Sequence, residues 1–542
     1  MSTRIDPANG VPGASNPRAA VIGLLERDDP EGALLAANEL VRARPGPSSD
    51  VLRARVLARL RRPDEAQDAL AQVLAGDPEH VEANFELGML HKQSGELALA
   101  AACFGLVERR DPAHADALYE LGWIAQEQRR LPDAHAYLER ACALRPDDLR
   151  ILNQLAYVLV ALERFEPGIA LFEDICARTS PAVVRPRINL SNALLRIGRF
   201  KRAFEVIESL LTAEPNNVEG RWNRSHLLLA MGRYEEGWRD YDYRMLLRSR
   251  PARLIPYPDW DGGPLAGRSL LVTAEQGLGD ELMFASCVPE LVALGARVHL
   301  ECEHRLASLF ARSFPGATIW PSDHETVLPY LDRLPAIDCH ARAGSLPRYL
   351  RSRPEDFPAR EAYLVADPEK VARWRERLGA LGPGLKLGIS WRGGTAATRA
   401  TMRSMDLAEM DALLARDDCR FVSLQYGDVA ADLGLAASRG LGIAHWQQAI
   451  DDIDETAALV QALDAVISVQ TAVIHLAGAL GRPAFVLLPS APEWRYGSAG
   501  ERMPWYPLVR LFRQGVPGDW SAPLAAAMRA VDALPRSTPG TG

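Results

Sequence analysis

The chain has 542 residues, 48% hydrophobic and 24% charged, with a formal net charge of −8. That length exceeds one ordinary core and predicts two or three domains, while the acidic balance without a long basic run argues against a nucleic-acid partner. No stretch is apolar enough over the twenty or so residues that a bilayer requires, so no membrane span is expected.

Residues 1–19 contain no apolar leader core and read as a flexible N-terminus. The seven cysteines show no C-x-x-C spacing, as expected of reduced thiols in the cytoplasm. Only four lysines occur, so a phosphate clamp in this chain would be built from arginine.

From about residue 20 the chain repeats. Pro45, Pro78, Pro112, Pro146 and Pro215 are spaced by 33 or 34 residues or about twice that, with Pro181 near the missing beat. Leu87-Gly88, Leu121-Gly122 and Leu155-Ala156 share one slot in the period. Ala66, Ala100, Ala134 and Ala203 share another, and Phe104, Leu138 and Phe172 a third. Each unit is predicted to be a helix, a short turn such as Gln93-Ser94-Gly95-Glu96, and a second helix ending near proline. Asn189, Asn192, Asn223 and Arg221 are polar helix residues of the type that binds a peptide backbone or simply faces water.

Periodicity stops after Trp238–Arg244, and a Pro-rich linker is expected over 247–268. The Asp240-Tyr241-Asp242 triplet at the end of the array reads as surface charge, not as a metal site. Strands and helices then alternate. Ser269–Thr273, Arg297–Glu301 and Ala317–Trp320 read as strands, with a glycine turn at Gly277-Leu278-Gly279-Asp280 opening a helix. A second set follows at Leu385–Ser390, Arg420–Gln425, Ala465–Val469 and Ala484–Leu488. The Gly277 turn departs from G-x-G-x-x-G, and no P-loop is present, so nicotinamide and ATP sites are not expected.

Polar turns follow these strands at 275–280, 391–395, 425–428, 470–475 and 489–495. Ligands of parallel sheets bind at that carboxyl edge. Thr471 is predicted to cap a compact helix whose free N–H groups and positive dipole end suit a phosphate. Arg392, Arg399 and Arg403 are candidate partners of a diphosphate, and Gly393-Gly394 would permit close backbone approach. Asp280 reads as a helix cap after the glycine turn.

The repeat positions resemble the tetratricopeptide repeat, in six or seven units from about Ala20 to Arg244. Glu275–Asp280, Ser345-Leu346-Pro347, Phe421–Gln425, Thr456–Leu459, Ser468–Gly481 and the stretch from Trp505 to Trp520 resemble a further family. It is the bacterial glycosyltransferases with N-terminal tetratricopeptide repeats and a GT-B half, similar to the heptosyltransferases and more distantly to the O-linked N-acetylglucosamine transferases. The resemblance covers nearly the whole chain. The implied fold is α plus α/β: a repeat solenoid followed by two Rossmann-like GT-B lobes. The divisions are 1–19, 20–246 for the repeats, 247–268 for the linker, 269–366 for the acceptor-side lobe, 367–534 for the nucleotide-sugar lobe with a C-terminal crossing segment, and 535–542 for a flexible tail.

The resemblance implies a sugar nucleotide held by Thr471, Ala472 and His475 at the diphosphate, with Gln425 and Thr456 near the nucleoside. Gln470, Arg392 and Arg403 complete the donor side. Gly277 and Gly279 would face the acceptor, Asp280 would be the base, and no metal or other cofactor is expected. Two departures from the family stand out. Gln470 replaces the usual aspartate, and His340 and Arg342 stand where relatives are apolar, which suits an anionic acceptor, an acidic nonulosonic donor or a solvated loop. The implied activity is transfer of a sugar to a hydroxyl of a protein, flagellin being the favoured acceptor, recruited by the repeats. The alternatives are a non-catalytic scaffold and a transferase acting on a cell-surface glycan.

Overall fold

The computed structural model describes residues 16–247, 253–394 and 401–536. The flexible ends expected at 1–19 and 535–542 lie largely outside them, as do Arg399 and part of the 247–268 linker. The chain divides into two compact units, 1–180 and 181–542.

Helices fill the first part in chain order. They are α1 (Pro17–Glu26), α2 (Pro30–Ala43), α3 (Pro47–Arg59), α4 (Pro63–Gly76), α5 (Val81–Gln93), α6 (Leu97–Arg110) and α7 (Ala115–Glu127). They continue with α8 (Leu131–Leu144), α9 (Leu149–Ala161), α10 (Phe165–Arg178), α11 (Val184–Arg196), α12 (Phe200–Ala213), α13 (Val218–Ala230) and α14 (Tyr234–Tyr241). The period read in the sequence has a steric cause. A Cβ on Gly88 would lie 2.7 Å from the Phe104 ring, and one on Gly122 would lie 2.6 Å from Leu138. The small slot of one helix thus receives the large slot of its partner. Turns within the pairs pass through left-handed backbone at Asp28, Arg61, Gly95, Arg129, Glu163, Gly198 and Gly232. One turn later the chain re-enters a helix, which accounts for the equal spacing of these residues. Cores of the first unit are small and local, such as Ala100, Phe104, Leu121 and Ile124, as nearest-neighbour stacking dictates.

The second unit contains α11 to α14 and two sheets. The first sheet has the order β3-β2-β1-β4, all parallel: β1 (Ser269–Thr273), β2 (Arg297–Cys302), β3 (Ala317–Pro321) and β4 (Cys339–Arg342). Leu271 pairs with His299 on one side and His340 on the other, and β1 is buried throughout. The second sheet has the order β10-β11-β9-β8-β5-β6-β7. Its strands are β5 (Leu385–Ser390), β6 (Cys419–Ser423), β7 (Ile443–Ala444), β8 (Ala465–Ser468), β9 (Ala484–Leu488), β10 (Arg502–Met503) and β11 (Tyr506–Arg513). Only β10 against β11 is antiparallel. Continuous apolar strands such as β8 and β9 are buried on both faces, as expected under helices on either side.

In the segment expected to cross back over a cleft, Trp505 meets Phe284, which follows β1, and Trp238 of α14 edge to face at 6.0 and 6.2 Å. Tyr506–Arg513 is itself a strand, with Val509 opposite Ala484 and Leu511 opposite Val486. The helix after it, Ser521–Asp532, buries Leu524, Ala527 and Val531 in the core of the second sheet with Leu387, Ile467 and Leu487. Tyr506, Val509, Leu511 and Phe512 of β11 are buried, and pairing in the sheet is what covers them.

Asp240-Tyr241-Asp242 is also not surface charge. Asp240 is buried and accepts from Arg221 at 3.0 Å and from Arg224 at 2.5 Å. Asp242 accepts from Ser345 at 2.6 Å and from Arg244 at 3.0 Å. Tyr241 joins an aromatic cluster with Trp238, Phe284 and Trp494, so α14 is part of the core of this unit.

Candidate functional site

A cavity of about 370 Å³ opens in the second unit. Three of its walls follow the carboxyl ends of parallel strands. Gln276, Gly279 and Asp280 follow β1, Thr471, Ala472 and His475 follow β8, and Glu493 to Tyr496 follow β9. Arg403 adds a cation, and Trp222, His226 and Tyr241 form an aromatic wall carried by α13 and α14.

The turn after β1 is held from below. Glu275 forms two bonds to the buried Arg244, one of 3.0 Å at Nε, and accepts from Gly344 N at 3.1 Å. Gln276 has φ of +70°, and its amide exchanges bonds of 2.8 and 3.0 Å with the Tyr241 hydroxyl. A left-handed non-glycine residue needs such over-determination to persist. The helix α15 (Leu278–Phe284) then starts with Gly277 at its cap position, so Asp280 sits in the first turn and is not the cap. Arg495 donates to Oδ1 of Asp280 from Nε at 2.6 Å and again from Nη2. Burial works against the Arg495 charge, yet Asp280, Tyr241 and Glu493 outweigh it and hold its pKa above the usual arginine value. Burial, reinforced by Asp280, pushes the Tyr241 phenol up to about 12.

Opposite this turn begins the helix Ala472–Ala479. Thr471 occupies its cap position with extended backbone, but its hydroxyl does not cap it and instead lies 3.0 Å from Ser468 Oγ. Ser468 donates to the Val469 carbonyl at 2.8 Å, so the Thr471 hydroxyl donates to Ser468, and the helix starts without a side-chain cap. Gly279 approaches this start closely: a Cβ there would be 3.3 Å from the His475 ring and 3.7 Å from Ala472 Cα. His475 is buried, with Nδ1 3.1 Å from the Tyr506 hydroxyl. Burial, then the charges of Arg495 and Arg403, push it down to about 3, so it is a neutral imidazole at physiological pH.

Thus Gly279, Asp280, Arg403, Thr471, Ala472 and His475 meet in one cavity. The other predicted residues do not line it. Gln425 is buried 35 residues from Ser390 in sequence and organises the turn after β5. Its Oε1 accepts from Ser390 Oγ, Trp391 N and Arg392 N at 3.0, 3.0 and 2.8 Å. Thr456 bonds its own helix start at Asp452 O, 3.1 Å away, and the Ala449 carbonyl. Arg392 pairs with Asp432 at 2.8 Å. Gln470 lies under the cavity, accepting from Glu493 N at 3.1 Å through its side chain and from Arg403 at 2.8 Å through its carbonyl. Gly393 permits close approach, but to protein: a Cβ would be 2.6 Å from that same Gln470 carbonyl. Gly277 caps α15. His340 and Arg342 both turn to Asp259, at 3.1 and 3.5 Å. Burial and Arg342 lower the pKa of His340.

Sequence reasoning missed Arg495, Glu493, Tyr496 and the aromatic wall. Arg495 and Glu493 stood in a turn marked as polar at a strand end, which was the available signal. Trp222 and His226 occupy the fifth and ninth positions of a repeat helix and carry no local mark that separates them from packing residues.

A family model described as tetratricopeptide repeat matches residues 51–115, 90–148 and 119–183. Among solved structures, the chain is similar to a tetratricopeptide repeat protein from Parabacteroides merdae, with a TM-score of 0.34, 15% identity, and coverage of 42% of this chain and 90% of that one. It is also similar to Pseudomonas aeruginosa pilF, with a TM-score of 0.34, 15% identity, and coverage of 38% and 93%. Protein FlbA of Caulobacter vibrioides is 32% identical over 474 residues, which span 83% of this chain and 78% of FlbA. At that identity and coverage, this chain belongs to the FlbA family.

Proposed function

We propose that this protein is a glycosyltransferase of GT-B type that moves a sugar from a nucleotide donor to a hydroxyl of a protein acceptor. The observation that carries the reading is the cavity itself. An uncapped helix start, two arginines and two carboxylates meet at the carboxyl ends of parallel strands of two separate sheets. In that reading the N–H groups after Thr471, with Arg403 and Arg495, hold the diphosphate. Asp280 takes the proton of the acceptor hydroxyl as its oxygen bonds the anomeric carbon, and the donor C–O bond breaks with its electron pair leaving on the diphosphate. Neutral His475 lines the site without adding charge, and the aromatic wall supplies a flat apolar face for a sugar ring or acceptor side chain. The tetratricopeptide repeats, which typically bind protein segments, recruit the acceptor, and flagellin is the class suggested by the resemblance.

A second reading is a repeat scaffold whose α/β half has lost catalysis. It is favoured by Gln470 in place of a carboxylate and by the engagement of Asp280 with Arg495. Calorimetric titration of the full chain with UDP, ADP, GDP and CMP separates the two. The transferase reading expects a clear preference for one nucleotide, and Thr471→Val weakening it with little change in thermal midpoint. Silence across the panel in folded protein favours the scaffold.

A further inference from the structure

The charged groups of the cavity are already neutralised by one another. Asp280 holds Arg495 through two hydrogen bonds to one oxygen. Glu493 lies 3.9 Å from the other side of Arg495 and 3.6 Å from Arg403. Arg495 also rests over the Trp494 ring at 4.7 Å, which fixes the plane of its guanidinium. Two carboxylates therefore alternate with two guanidiniums along one wall. Asp280 and Arg495 are each about 15% exposed, so the pair sits at the cavity surface within reach of a ligand. An incoming diphosphate meets no net positive charge until it displaces a carboxylate. Both Arg495 bonds fall on Oδ1, so an acceptor hydroxyl would meet Asp280 beside a guanidinium that already holds one of its two carboxylate oxygens.

Resting on the transferase reading, we propose that Arg495 is a shared ligand: it latches Asp280 until the donor diphosphate takes the guanidinium over on binding, which frees Asp280 as base. Donor binding and base release are then one event, so the acceptor is attacked only after the donor is seated. The residues involved come from the turns after β1 and β9, 215 positions apart, and each turn is held by its own set of bonds.

A double-mutant cycle in nucleotide affinity tests this, using UDP, ADP and GDP as probes on the full chain. Removing the competing carboxylate by Asp280→Asn should tighten diphosphate binding about ten-fold, the effect of one charged contact released for the ligand. Arg495→Gln should weaken binding, and Asp280→Asn should have no further effect in that background. A base without a latch predicts unchanged affinity in Asp280→Asn, and that result overturns the proposal while leaving the transferase reading standing. Silence in both wild type and Asp280→Asn overturns the reading of the cavity and the latch with it. Asp280→Ser is measured alongside, and if neither variant folds the pair is structural and the proposal fails.

Discussion

Two helices at the same place in the repeat carry the same kind of residue to different ends. In α7, Tyr119 and Trp123 stand at the fifth and ninth positions, and in α13 Trp222 and His226 do. Trp123 receives the Lys92 ammonium at 4.3 Å over its ring, and Tyr119 receives Arg150 at 5.5 Å, so both are absorbed by neighbouring repeats. Trp222 and His226 meet edge to face at 4.2 Å and line the cavity instead. The repeat supplies a position, and what lies beyond the helix decides whether that position is covered by a neighbouring repeat or lines a cavity.

The largest expected effect sharpens this contrast. On the proposed transferase reading, Trp222→Ala is expected to lower transfer by about ten-fold or more through lost positioning, while changing nucleotide affinity little. Trp123→Ala is expected to leave transfer per folded molecule unchanged. Assays of rate and affinity on both variants check the pair, and equal losses of rate would erase the distinction.

The repeat core is probed next. Gly122→Val places side-chain atoms where a Cβ already meets Leu138 at 2.6 Å, and should destabilise the first unit by about 1–3 kcal/mol. Urea unfolding followed by far-ultraviolet dichroism measures it, with nucleotide binding retained.

The cavity has a pH signature that the repeat lacks. His475 is neutral in the folded chain down to about pH 3, whereas the unfolded chain protonates it near the ordinary value. Between those limits the unfolded state binds the extra proton, so stability falls as pH is lowered from about 6.5, by up to roughly 1.4 kcal/mol per pH unit. The urea midpoint measured from pH 7 to pH 4 should fall less steeply in His475→Leu.

The smallest effect returns to the helix turns. Arg129 holds a left-handed backbone with φ of +60°, where glycine serves at Gly95 and Gly198. Arg129→Gly should relieve about 0.5–1 kcal/mol and raise the thermal midpoint by a few degrees, a change calorimetry resolves.

Much of the architecture was legible because it is periodic or local. The 33- to 35-residue beat comes from one helix pair, its small-against-large contact and its left-handed turn, all within a single repeat. Strands of four to six apolar residues announced both sheets, and the turn after β8 declared a helix start. β11 was not among the strands read from the sequence, and pairing with β9 is what makes it one.

Among the site residues, Asp280, Thr471 and His475 could be nominated from their own neighbourhoods, since glycine turns and strand ends mark them. That Asp280 meets Arg495, that Thr471 spends its hydroxyl on Ser468, and that Gln425 serves a backbone turn are facts about distant partners. Local sequence determined which segments form helices and strands, because propensity, steric period and capping act within a few residues. The tertiary structure alone decided which polar ends face one cavity and which are consumed by neighbours, because a hydrogen bond or ion pair depends on proximity in space and leaves no trace in the spacing along the chain.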